Sequence, residues 1–467
     1  MLYYKRKTFL KQILEKPHRG NIRDVMIVAL PMLLSMSFDT LMTFADRLFL
    51  AKLSPELMNA ALAGGSAQVM VMTFFNGLIA YSTAQVAQNF GAKQFHNCSK
   101  SCTQAAILAL VCTPLVLLVK PFVYWLFSLS EVSSVQLEAQ TVYFNTLLYG
   151  AVLILFRQVF VSFFSGIGKT KIVMVAAFIG LVVNVTMNYL LIFGIGPFPA
   201  CGILGAAYGT IIGNFATILI LFIQYCREVK HSFLGFSFAF HKELFVELLR
   251  KGSASGVEMF LSMFAFQSLI LLFHGMGPSV ATAATVMFNW DMVAYVPLLG
   301  LEVASMSLVG RYVGAKDPAA VRRSVRSAIV IGFVYSVVVA VLFVGFPGFL
   351  TDIFRPENDC AGLFAETRPL AITMLRIAFC YVVVEVGLVV FAGALRGAGD
   401  TFWVMCVMVI LNWLTVLALW LCGYVFALGP VASWVTVVIA FFAFPIALIY
   451  RWKSGSWRRL MQQGGVR

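Results

Sequence analysis

An all-α polytopic membrane protein of twelve transmembrane helices is the fold class this sequence predicts, on three observations. Apolar side chains make up 61% and charged side chains 12% of the 467 residues, with a mean hydropathy of +0.90. Soluble domains run near ~45–50% and ~25%, and a water-facing fold cannot bury that apolar excess. The apolar residues also form long runs rich in Leu, Val, Phe and Ala, rather than the ~10-residue alternating segments of a membrane β-barrel. Finally, the basic residues collect in every second gap between those runs.

The first 23 residues are basic and poor in apolar side chains. They read as an N-terminal tail rather than a cleaved signal, because the run that follows is long enough to span. A spanning helix needs ~20 apolar residues. That places spans near 24–50, 60–88, 102–128, 139–165, 172–194 and 203–225, then near 252–274, 282–310, 327–350, 370–395, 402–427 and 429–450. The basic, polar stretch 227–251 divides a first bundle, 24–226, from a second, 252–450, and residues 451–467 form a C-terminal tail.

Seven Lys and Arg lie in the N-terminal tail, two each in 89–101 and 166–171, five each in 227–251, 311–326 and beyond 450, and one is Arg396. These 27 of 34 basic residues share one side if twelve spans alternate. The loops near 52–59, 129–138, 195–201, 275–281, 351–369 and 428 are poor in them and carry Glu131, Asp352 and Asp359. By the positive-inside rule both termini are cytoplasmic and the protein is multi-pass in the plasma (inner) membrane. The net charge of +14 is therefore a topology signal and not a nucleic-acid footprint. Nine scattered cysteines with no CxxC pair suggest neither a disulfide framework nor a metal site.

The chain repeats itself weakly. NFGAKQ (89–94) closes span two and RYVGAKD (311–317) closes span eight; FFSGIGKT (163–170) closes span four and ALRGAGDT (394–401) span ten. Six helices per half make the repeats parallel, related by an axis along the membrane normal, an arrangement in which transporters bind substrate between the halves. The glycine-rich turns lack the spacing of a phosphate loop and follow no strand. With no soluble domain in view, the energy source is an ion gradient rather than ATP.

Ionisable groups inside spans are costly and default to functional hypotheses. Asp39 and Asp46 in span one are seven apart, so they share a helix face about 10.5 Å apart; Arg47 next door offers the plainer reading of a salt-bridged or interfacial pair. Asn184 and Asn188 share a face of span five, where amides also serve as packing glue. Thr210 lies in GAAYGTIIG of span six. A carboxylate, two amides and a hydroxyl make an oxygen-rich set suited to Na⁺ or a proton, with Asp46 and Asn184 as the Na⁺ candidates. The second half carries Glu258, Asp291, Glu302 and Glu385. Glu258 lies toward the cytoplasmic end of span seven, where snorkelling is the competing account, and Glu302, near the cytoplasmic end of span eight, reads as structural. Glu385 sits in VVVEVGLVVFAGALRG without a within-helix partner, since Arg376 is nine residues away.

ALPMLLSMSFDTLMTFADRLFLAKL, QNFGAK, GRYVGAKD, NVTMNYLLIFGIG with GILGAAYGT, and ALRGAGDT together resemble the multidrug and toxic compound extrusion family, nearest its NorM type, through essentially all twelve spans. The resemblance implies two six-helix bundles forming a V that export organic cations in exchange for Na⁺ or H⁺, without a cofactor. It carries the family's span-one aspartate onto Asp46, its span-five asparagine onto Asn184, the residue four later onto Asn188 and its span-six threonine onto Thr210. The NorM-type span-ten acid falls on Glu385, ten residues before Leu395. The span-seven glutamate aligns with Ser262, one turn after Glu258, and Asp291 in FNWD has no counterpart.

The expected function is thus a monomeric secondary antiporter, embedded in the lipid bilayer, that acts on small organic cations. A lipid or lipid-linked-precursor flippase of the same superfamily is the alternative, disfavoured by deep charges that are mostly acidic. A receptor or enzyme fits poorly, because no catalytic constellation is present.

Overall fold

The computed structural model describes residues 20–128, 133–231, 235–355 and 363–463. Most of the N-terminal tail, Glu131, Asp359 and Arg467 thus lie outside the described residues. All described regular structure is helical. Eleven helices are long and apolar enough to cross a membrane, and a bent pair makes the twelfth. In the first half α1 runs Ile22–Ala51, α2 Glu56–Gly91 and α3 Phe95–Ser128. There α4 is Ser134–Tyr149 continued at 47° by Ala151–Gly166, α5 is Thr170–Phe193 and α6 Ile203–Lys230. In the second half α7 is Lys242–His274, α8 Pro278–Gly314 and α9 Pro318–Gly345, followed by α10 Phe364–Ala398, α11 Thr401–Val425 and α12 Pro430–Lys453.

Each expected span is present, and the helices overrun the expected ends chiefly on the basic side. Thus α6 continues to Lys230 and α7 begins at Lys242, so only a short connection remains of the linker expected at 227–251. Hydropathy marks where a helix leaves the hydrocarbon, whereas its hydrogen bonds persist in water. The 37 residues of α8 make a rod of about 55 Å, against a ~30 Å hydrocarbon core. The connection is moored to α3: Gln104 Nε2 donates to Ala239 O (3.0 Å), and Gln104 Oε1 accepts from the His241 amide (3.1 Å).

The repeated turns fold alike. Lys93 and Lys316 both adopt positive φ, 61° and 55°, and so do Gly168 and Gly399, 72° and 93°. A lysine there tolerates a conformation that glycine adopts freely. Packing repeats as well: α1 lies against α5 as α7 lies against α11. Between halves, α2 packs on α7 and α1 on α8, contacts that exchange when the halves are swapped, as a two-fold relation requires. The crossings are glycine-built. A Cβ on Gly252 or Gly256 of α7 would sit 2.3 Å from Leu78 O or 2.5 Å from Phe74 O of α2. Where α2 meets α8, a Cβ on Gly91 would lie 1.8 Å from Arg311 O, and one on Gly314 1.9 Å from Gln88 O.

Hydrogen bonds between the halves gather at the basic ends. Gln85 donates to Leu244 O (3.0 Å) and Glu247, Gln88 donates to Gly397 O (2.8 Å), and Ser307 donates to Ser165 O (2.5 Å). The two halves are therefore clasped on that side. Elsewhere the outward faces are apolar, as on α9, where Phe333, Val334, Val338 and Val341 are exposed as lipid-facing residues are.

Candidate functional site

Three helices of the first half build a polar cluster. Asp46 on α1 is 4% exposed and Asn184 and Asn188 on α5 are fully buried. Thr210 Oγ1 donates to Asp46 Oδ2 at 2.7 Å, and Asn188 Nδ2 donates to Asp46 Oδ1. Asn184 closes the ring, donating to Thr210 Oγ1 (3.3 Å) and accepting from Asn188 (3.2 Å). The Asn188 Oδ1 atom is buried without a donor among the described residues. A carboxylate, two amides and a hydroxyl thus form one linked ring, in which Asn188 turns its nitrogen toward Asp46 and its oxygen toward Gly209. This is a set that fits a hard monovalent cation or a proton.

The closeness of α5 and α6 makes this ring. Gly205, Gly209 and Gly213 of α6 follow one another at four-residue spacing and face α5, which lets the backbones approach as small residues do in membranes. A Cβ on Gly209 would lie 2.0 Å from Asn188 Oδ1, and one on Gly213 2.7 Å from Asn184 Cβ.

Asp39 does not join the ring. It is half-exposed and pairs with Arg157 of α4, whose other arm donates to Asn214 Oδ1 at 3.1 Å. Sharing a helix face with Asp46 still leaves two turns between them, and Asp39 finds its partner on α4. Sequence reasoning did not place Arg157 beside Asp39 and did not single out Asn214, although both carry a signal: one is a charge inside a span, and the other lies four residues beyond Thr210.

In the second half Glu385 of α10 is 4% exposed, and its Oε2 has no hydrogen-bond partner among the described residues. Val382 belongs to one apolar cluster and Val389 and Phe391 to another, so the carboxyl lies at their seam. Arg376 is exposed and Arg157 pairs with Asp39, so neither arginine serves Glu385. Asp291 of α8 stands within electrostatic reach, accepting from the Tyr381 hydroxyl. Tyr295 and Tyr335 also stand within electrostatic reach of Glu385, the Tyr335 hydroxyl donating to Ala294 O (3.0 Å). The structure thus brings Asp291 and Glu385 together, with three tyrosines that the sequence did not single out.

Glu258 is placed elsewhere. It does not snorkel: it is 4% exposed and 2.5 Å from Arg396 Nη2, while Arg396 Nη1 pairs with Glu302. Ser262 Oγ lies 3.5 Å from Glu258 Oε1 and accepts from Asn412 (3.0 Å). One guanidinium holding two carboxylates ties α7, α8 and α10 together, and Glu302 has the structural place expected of it.

Comparison with known proteins bears on the whole assembly. A multidrug resistance protein assigned as probable NorM from Pasteurella multocida is 25% identical over 437 residues, spanning 91% of this chain and 92% of its own. One assigned likewise from Photorhabdus laumondii is 24% identical, over 92% of each chain. Among solved structures, a MATE in the bent conformation superposes with a TM-score of 0.83 at 21% identity, covering 97% of this chain and 98% of that one. The eukaryotic MATE transporter AtDTX14 gives the same TM-score at 18% identity, over 94% and 97%. The MatE family profile matches residues 31–190 and 254–421, most of both halves. The chain belongs to the MatE family, the multidrug and toxic compound extrusion transporters.

Proposed function

We propose that the protein is a cation-coupled antiporter that exports small organic cations across the plasma membrane, with both termini in the cytoplasm. The observation that carries this reading is the Asp46 ring, a buried carboxylate whose hydrogen bonds, among the described residues, come from amide and hydroxyl groups of α5 and α6. The relatives named as multidrug resistance proteins support the same class of cargo.

A single buried carboxylate cannot hold Na⁺ and a proton at once, so the two compete for Asp46, and either neutralises a charge that is costly in the membrane. In the ring Asn184 Oδ1 and Thr210 Oγ1 supply further oxygens. Occupancy changes which packing of α1, α5 and α6 is favoured, and a ligand shifts an equilibrium only through such differential binding. The clasp at the basic ends must then release for the opposite face to open. In the second half Glu385 and Asp291 present acid to a cationic head, and the valines beside Glu385 present the apolar wall its body needs.

The test is export of a fluorescent permanent cation from proteoliposomes under a Na⁺ gradient alone or a pH gradient alone. One gradient should drive transport and Asp46→Asn should abolish it, with the variant still folded and inserted. Full coupled transport by that variant would remove Asp46 from the mechanism.

A further inference from the structure

The half-exposed Arg157–Asp39 pair lies outside the ring and yet is joined to it. Arg157 donates to Asn214 Oδ1 at 3.1 Å, Asn214 Nδ2 donates to Thr210 O at 2.9 Å, and the Thr210 hydroxyl donates to Asp46 at 2.7 Å. Asn214 is 5% exposed and the two ends of the pair are 20% (Arg157) and 38% exposed (Asp39). A cation and an anion are thus held beside a buried anionic site, reached through one asparagine. Asp39 stands two turns from Asp46 on α1, about 10.5 Å along the helix.

We propose that Arg157 and Asp39 are positioning residues that balance charge beside the ring and so set its affinity for the coupling cation. The proposal rests on the reading of Asp46 as the cation site. Together the two charges cancel at Asp46, while Asn214 holds the guanidinium toward α6. Singly they act in opposite directions. Arg157 without Asp39 is an uncompensated positive charge that repels the incoming cation. Asp39 without Arg157 is an uncompensated negative charge that attracts it. A unit charge ~10 Å away at an effective dielectric of ~20 changes cation affinity by roughly tenfold. The other charged or titratable groups facing Asp46 are Arg47 on α1 and Tyr143 on α4, and no variant below alters them.

The experiment measures the half-saturating concentration of the driving cation, Na⁺ or H⁺ in separate runs, for vesicle transport of a fluorescent permanent cation. Asp39→Asn should raise it about tenfold and Arg157→Gln should lower it about tenfold. The double variant should return to within about threefold of the parent. A pair that merely pinned α1 to α4 would weaken cation use in both single variants, and shifts of the same sign would overturn the proposal. So would a double variant no closer to the parent than the single ones. Asp46→Asn serves as the control in the same vesicles. If it leaves the cation dependence unchanged, the Asp46 site fails and this inference falls with it. If it removes the dependence while the charge variants move together, the inference alone fails.

Discussion

At the scale of the residue, glycine 209 matters as much to the ring as the polar atoms do. A Cβ there would stand 2.0 Å from Asn188 Oδ1, so Gly209→Ala should swing that amide off Asp46. Inserting one methyl in a tight core costs about 1–3 kcal/mol. The variant should remain inserted, unfold at lower temperature and transport at least about tenfold more slowly in the vesicle assay. Glu385→Gln keeps shape and removes charge; export of a permanent cation should fall by at least about tenfold, and a rate equal to the parent's would make Glu385 structural. Arg396→Met strands Glu258 and Glu302, and breaking a buried pair costs about 3–5 kcal/mol, readable as a large drop in the thermal unfolding midpoint. The members of the ring were legible in the sequence because a carboxylate, two amides four apart and a threonine stand out against apolar runs. The place of Asp39 was not, because helical spacing gives direction around an axis and says nothing of an arginine on another helix. Glu258 hid for the same reason, its partner Arg396 lying 138 positions later.

At the scale of the element, the helices were legible almost entirely, since a ~20-residue apolar run has one economical solution in a bilayer. Their ends were misplaced where α6, α7 and α8 project beyond it, and the crossings were not visible at all. Glycine in a membrane helix is common enough to mean little until its neighbour is known. At the α2–α8 crossing it means a great deal, because Gly91 and Gly314 each touch backbone that cannot rotate away. Gly314→Ala should push the basic ends of these helices apart. A cysteine placed at Glu247, beside Gln85, should then react at least about threefold faster with an impermeant maleimide reaching the basic face. Unchanged labelling in a variant that inserts normally would show that this crossing does not hold the clasp closed.

At the scale of the whole molecule, the distribution of basic residues makes a prediction about orientation. In a cysteine-free background, a cysteine introduced at residue 5 or 460 should be labelled from the cytoplasmic side and stay protected in intact cells. Labelling from outside would overturn the even alternation of twelve spans. The two-fold relation of the halves was legible from NFGAKQ and RYVGAKD, because turns that end equivalent helices keep their backbone needs even when spans drift apart.

The glycine clasp also has a consequence for how the chain is made. Gly314 lies 223 residues after Gly91, and ribosomes add ~5–20 residues per second, so roughly 10 to 45 s separate their synthesis. When α2 emerges, the acceptors of Gln85 and Gln88 do not yet exist, since they follow 159 and 309 residues later on α7 and α10. The first half must therefore wait in the membrane with amides that are matched to nothing, held near the basic surface where water can serve them. Placing the clasp at that surface rather than at mid-depth lets the early half survive until its twin arrives.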